Sequence, residues 1–111
     1  METKELIEAT CPGCRGPLTQ ICHHDAIYEY RCLVGHSYAA RALLQAHSEV
    51  QEQALWMAVL ALEESANLVR AATPALPQDV ADRLTAQVDL KKQQAAAIRQ
   101  ILERLEPFET G

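Results

Sequence analysis

Four residues near the N-terminus have the types and spacing to hold a metal ion: Cys11, Cys14, Cys32 and His36. Cys11-Pro12-Gly13-Cys14 is a CxxC knuckle. Its short gap lets both sulfurs turn toward one centre, and Pro and Gly favour the tight turn that aims backbone amides at them. Cys32-Leu33-Val34-Gly35-His36 supplies a second pair, with Gly35 letting the chain bend ahead of the histidine. Three thiolates and an imidazole form a normal tetrahedral zinc set, so structural zinc is the expected cofactor. A closed set leaves no position for water, and no Glu is placed as a general base, so no catalytic residue is assigned.

Two other readings of the cysteines compete. They are buried pairs without metal, or a redox CxxC, but the latter normally opens a helix within a βαβ unit, which this sequence lacks. Cys22 can also stand in for His36 to complete a four-cysteine site, although the spacing favours His36. His23 and His24 read as solvated polar residues near a turn, and His47 as an exposed helix position. Thiolates must lose protons to bind metal, so acid is expected to release the ion and unfold the segment around it.

The elements that must position these ligands follow from composition. The chain has 111 residues, room for one small domain, and 49% are hydrophobic while only 5% are aromatic. All four cysteines and all but the last glycine precede Ser37, and the rest is rich in Ala, Leu, Gln and Glu. Cysteines so clustered suit a metal better than a disulfide framework. Residues 1–36 therefore read as a zinc-ribbon-like unit, and residues 37–111 as an antiparallel helical hairpin. The fold class expected is mostly α with a small β zinc ribbon.

Within the first unit, Leu18 to Cys22 and Ala26 to Cys32 have strand character, and His24-Asp25 can make the turn between them. So small a sheet is marginal without a staple, which metal would supply. From Ser37 to about Ala72 there is neither Pro nor Gly. Leu55, Ala58, Leu62, Ser65 and Val69 alternate at separations of three and four and predict a helical seam, widened by Trp56, Val59, Leu60 and Ala66. Thr73-Pro74-Ala75-Leu76-Pro77 breaks that helix. A second is expected from about Pro77, with Asp79 in its first turn. Its seam runs through Val80, Leu84, Val88, Lys91, Ala95, Ile98, Leu102 and Leu105, and Pro107 ends it. Two helices alone bury little, so pairing of two hairpins into a dimeric four-helix bundle is expected.

Charge and motif content bound the function. A formal net charge of -5 argues against nonspecific attraction to nucleic acid or an anionic membrane. No apolar run approaches the roughly 20 residues that cross a bilayer. METKELIEAT has no apolar core behind a basic start, so the cytoplasm, where thiols stay reduced, is the expected location. A di-iron bundle needs inward Glu-x-x-His pairs, and the helices contain none. The reading favoured is a noncatalytic zinc-binding module that meets a protein partner, with Trp56 the helix residue of most interest. The alternative is a zinc-ribbon nucleic-acid-binding protein using Arg15, Arg31 and Arg41, which the acidic total disfavours.

Three motifs also occur in order: CPGCRGPL, then YRCLVGHSY, then LL and ALWMAVLALEE. Together they resemble the C-terminal extension of chemotaxis-type protein-glutamate methylesterases, which carries CPxCxGxL, FRCxVGHxY and EALWxALRALEE segments. The resemblance covers about Thr10 to Glu64. It matches Cys11, Cys14, Cys32 and His36 to the metal-type positions and Trp56 to the tryptophan. Gln53 departs where the family often has Glu, and Ala39 where a small polar residue is usual. The methylesterase chemistry belongs to an α/β domain with a serine nucleophile, and these residues contain no G-x-S-x-G-like elbow. The resemblance therefore implies association with bacterial sensory signalling, without esterase activity.

Overall fold

A computed structural model of the chain describes residues 1–105. Four strands come first: β1 (Glu2–Thr10), β2 (Pro17–His23), β3 (Ala26–Cys32) and β4 (Ser37–Tyr38). They form one antiparallel sheet in the order β1-β2-β3-β4. Two helices follow, α1 (Ala40–Ala72) and α2 (Gln78–Glu103), joined by a short 3-10 turn at Thr73–Ala75. The mostly helical class and the expected β2–β3 hairpin are both present. The chain divides into two compact units, the first Met1–Val50 and the second beginning at Gln51, so the division falls within α1.

The turn between β2 and β3 is a two-residue loop. His24 and Asp25 both take left-handed backbone angles, φ 52° and 64°, which match the twist of the strands on either side. The register pairs Leu18 with Cys32 and Gln20 with Tyr30. Side chains alternate along a strand, so Leu18, Tyr30 and Cys32 share one face. On that face Cys11, Leu18, Cys32 and Leu43 form the buried cluster, with Ile7, Tyr30 and Tyr38 packed against it. Leu43 comes from the first turn of α1, whose opening bond runs from its amide to the Ala39 carbonyl. Ile21 falls on the opposite face, between its partners Lys4 and Glu29, and is also buried.

Two strands depart from the sequence expectation. β1 carries Glu2, Lys4, Glu5 and Glu8 and little apolar patterning. Charges of this kind suit an edge strand, where unpaired backbone must be kept from other chains, and β1 owes its form to pairing with β2. Ser37 and Tyr38 form β4 against Arg31 and Tyr30, so the helix expected from Ser37 begins at Ala40 instead.

In the second unit α2 runs back along α1. The Arg99 side chain donates to both Glu63 oxygens, at 2.9 and 3.2 Å, and its guanidinium carbon lies 5.6 Å from the Trp56 ring centroid. Nearer the connection, Glu63, Ala66, Asn67 and Lys92 line a shallow groove. The buried side chains are Val59 and Ala66 on α1, with Ala81, Val88 and Ala95 on α2. The α1 seam is thus centred one residue beyond Ala58 and Ser65, and on α2 Ala81 replaces Val80. Lys91 stays in the α2 seam half-buried, a position a lysine tolerates because its apolar stem can be covered while its ammonium stays in water.

Two helix ends carry charges that suit the helix dipole. Arg70 sits in the last turn of α1, at the negative end of the dipole, and Asp79 in the first turn of α2, at the positive end. Helix α2 closes at Glu103, where the Arg104 amide donates back to the Ile101 carbonyl. Leu105 therefore lies past the helix rather than in its seam, and Pro107, expected as the terminator, lies outside the described residues. Among the described residues no helix is long and apolar enough to cross a membrane.

Candidate metal centre

The two knuckles sit at the same end of the sheet. Cys11 to Gly16 links β1 to β2, and Leu33 to His36 links β3 to β4. Because β2 and β3 are neighbours, their connections bring Cys14 and Cys32 to a sulfur–sulfur distance of 3.6 Å. His36 Nδ1 lies 3.5 Å from Cys11 Sγ and 3.4 Å from Cys32 Sγ. All four ligand atoms fall within 4.8 Å of one another, a cluster that can bind a metal ion. Cys11 and Cys32 are buried, whereas Cys14 and His36 face solvent.

Each knuckle is shaped by its own backbone bonds. In the first, the Cys11 amide donates to the Gly16 carbonyl at 2.7 Å and the Arg15 amide to the Cys11 carbonyl at 2.8 Å. The left-handed residue is Arg15, with φ 65°, rather than the glycine of the CxxC. Gly13 instead gives room. A side-chain carbon there would stand 3.3 Å from Tyr38 Oη, 3.6 Å from His36 Cε1 and 3.7 Å from Cys11 Sγ. In the second knuckle Gly35 adopts φ 101°, as the bend before His36 requires.

Amides and one hydroxyl are aimed at the sulfurs. Gly13 N donates to Cys11 Sγ at 3.4 Å, His36 N to Cys32 Sγ at 3.2 Å, and Tyr38 Oη lies 3.3 Å from Cys11 Sγ. Burial acts to raise the Cys11 thiol, but Tyr38 and the Cys14 and Gly13 amides outweigh it and bring it down to about 6. Cys32 is lowered too, because the His36 and Val34 amides outweigh its burial. For Cys14 the Gly16 amide acts downward, yet burial and the neighbouring Cys32 and Cys11 together leave it raised. His36 is raised by its bonds to Cys11 and Cys32, and Tyr38 by its bond to Cys11. The pattern is that of a site collecting negative charge, in which the last thiolate forms only against its neighbours. A bound cation removes that opposition.

The other candidates fall elsewhere. Cys22 lies on β2, paired with Thr3 and Ile27, and its sulfur meets Gln20 Nε2 at 3.8 Å. It is not in the cluster. His23 Nε2 contacts Glu2 at 3.0 Å and its ring lies against Tyr28, while His24 occupies the exposed turn and His47 an exposed position on α1. Of Arg15, Arg31 and Arg41, Arg31 pairs with the Glu29 carboxylate. Tyr38 has no ligand-type chemistry to mark it in the sequence. Its only signal is position, two residues past His36 in extended chain and hence toward the same side. Among known proteins, no family model, no curated protein and no solved structure matches this chain.

Proposed function

We propose that this chain is a noncatalytic zinc-binding interaction module, in which the ion closes a small zinc ribbon. The observation that carries the reading is the convergence of Cys11, Cys14, Cys32 and His36. A tetrahedral zinc with bonds of about 2.3 Å to sulfur and 2.0 Å to nitrogen has ligand–ligand edges of about 3.8 and 3.5 Å. The sulfur–sulfur distance of 3.6 Å and the sulfur–nitrogen distances of 3.4 and 3.5 Å suit those edges. Zinc supplies positive charge to the thiolates and a cross-link between the two knuckles. The first unit's small core supports the need for such a cross-link, since its buried apolar side chains are Leu18, Ile21 and Leu43 besides Cys11 and Cys32.

Metal analysis of the purified protein tests this. About one tightly bound zinc per chain is expected, and Cys11→Ser should lose it and unfold the sheet. Less than about half an equivalent, or normal folding of the variant, would overturn the assignment.

The second unit supports the interaction role. Its buried side chains are small or β-branched, while Trp56, Met57, Leu60, Leu68, Leu90 and Ile101 remain substantially exposed. Such apolar surface on a two-helix hairpin favours a second layer, and the second copy of the chain completes a four-helix bundle. Light scattering after size-exclusion chromatography should give twice the chain mass. A monomer at micromolar concentration would remove the bundle. The motif resemblance supports a bacterial sensory-signalling protein as the further partner.

A further inference from the structure

The metal cluster has a polar neighbour that is not a ligand, and the space around it is specifically kept open. Tyr38 Oη stands 3.3 Å from Cys11 Sγ, while the phenol ring packs against the buried cluster that contains Cys11 and Cys32. Strand β4 holds the backbone at Tyr38, which pairs directly with Tyr30 on β3. Gly13 lies on the other side. A methyl group there would stand in ordinary contact with the Cys11 sulfur, at 3.7 Å, but would crowd the hydroxyl at 3.3 Å, so glycine leaves the hydroxyl its place beside the sulfur. Gly13 is not in the left-handed region, where the described glycine is Gly35, so backbone conformation does not explain the choice of glycine at 13.

We infer that Tyr38 is a positioning residue for the metal centre, its hydroxyl donating a hydrogen bond to the Cys11 thiolate through a gap that Gly13 leaves open. The inference rests on the zinc reading above. A phenol donates well to an anionic sulfur, and such a bond draws electron density from the thiolate and fixes the direction of its lone pairs. Cys11 then becomes a well-directed, weakly nucleophilic ligand. Cys14 is exposed whereas Cys11 is buried, so Cys14 is the more accessible sulfur of the first knuckle to a reagent.

Tyr38→Phe keeps the ring and its packing and removes only the donor. With the full chain, zinc competition against a chromophoric chelator should show affinity falling by about 10–100-fold, with about one equivalent still bound at saturation. Cobalt substitution gives the readout that a purely structural tyrosine would not move. Loss of the donor raises the sulfur orbitals, so the sulfur-to-cobalt charge-transfer band shifts to lower energy. Peptide-resolved alkylation should show Cys11 gaining reactivity relative to Cys14. Gly13→Ala should reproduce part of each change by pushing the hydroxyl aside, and should add little in the Tyr38→Phe background.

A wild-type protein that takes up less than about half an equivalent of metal removes the centre and this role with it. A wild type that loads fully, beside a Tyr38→Phe variant with unchanged affinity, cobalt spectrum and alkylation ratio, overturns the hydrogen-bond role alone.

Discussion

Glu29 ties the second knuckle to the sheet without touching the metal cluster. Ser37, the residue after His36, donates its hydroxyl to the Glu29 carboxylate, and Arg31 pairs with the same group. The Ser37 bond is the main reason that the Glu29 carboxyl is held below its ordinary 4.5, with Arg31 adding to it against the effect of burial. A depressed folded value means that the ionised form stabilises the fold above the ordinary value, and that this contribution is lost as pH falls through the folded value. Ser37→Ala should therefore move the acid-unfolding midpoint to higher pH at fixed excess zinc. It should leave the protein unaffected where Glu29 is protonated in both states. An unchanged midpoint would take Glu29 out of the acid response. At this scale the four clustered metal-type residues were legible because their spacing is local, a separation of three in one knuckle and four in the other. Arg15 as the left-handed residue, Gly13 as a gap and Tyr38 as a donor depend on how the knuckles meet, which no local pattern encodes.

Elements were legible in proportion to how far their own residues dictate them. The β2–β3 hairpin has β-branched and aromatic residues at Ile27, Tyr28 and Tyr30 and a turn whose left-handed angles His24 and Asp25 tolerate, so it reads directly. Both helix boundaries at the Thr73–Pro77 break follow from prolines that cannot donate or accept a helical predecessor. β1 and β4 carry no such signal. The first is a charged edge and the second only two residues long, and each is made by a partner strand. The α1 seam shows a finer limit. Leu55, Ala58, Leu62, Ser65 and Val69 keep the alternation of three and four, but so do Leu55, Val59, Leu62, Ala66 and Val69. The structure buries Val59 and Ala66 fully because a β-branched side chain and a methyl group fill the interface better than Ala58 and the hydroxyl of Ser65. Periodicity selects a face, whereas packing against Ala81, Val88 and Ala95 selects its centre.

For the whole molecule, the division at Val50 to Gln51 separates two compact units with different buried residues. The first unit's buried cluster contains two of the proposed ligands, Cys11 and Cys32, so on the zinc reading loss of the ion is expected to loosen that core as well as break the cross-link. The second unit's buried residues lie wholly on the two helices and include no ligand. Natural reporters fall on either side of the division. Tyr28, Tyr30 and Tyr38 belong to the first unit, and Trp56, the sole tryptophan, to the second. A strong chelator should therefore change the tyrosine signal and the near-ultraviolet dichroism from the sheet. Selectively excited Trp56 should keep its emission maximum, and most of the helical far-ultraviolet signal should persist. Heating the chelated protein should then give a single transition reported by Trp56, since local units unfold at their own free energies. A concerted change at Trp56 on chelation would show instead that the zinc holds the helices too, through the continuous backbone of α1, and that the chain unfolds as one cooperative unit.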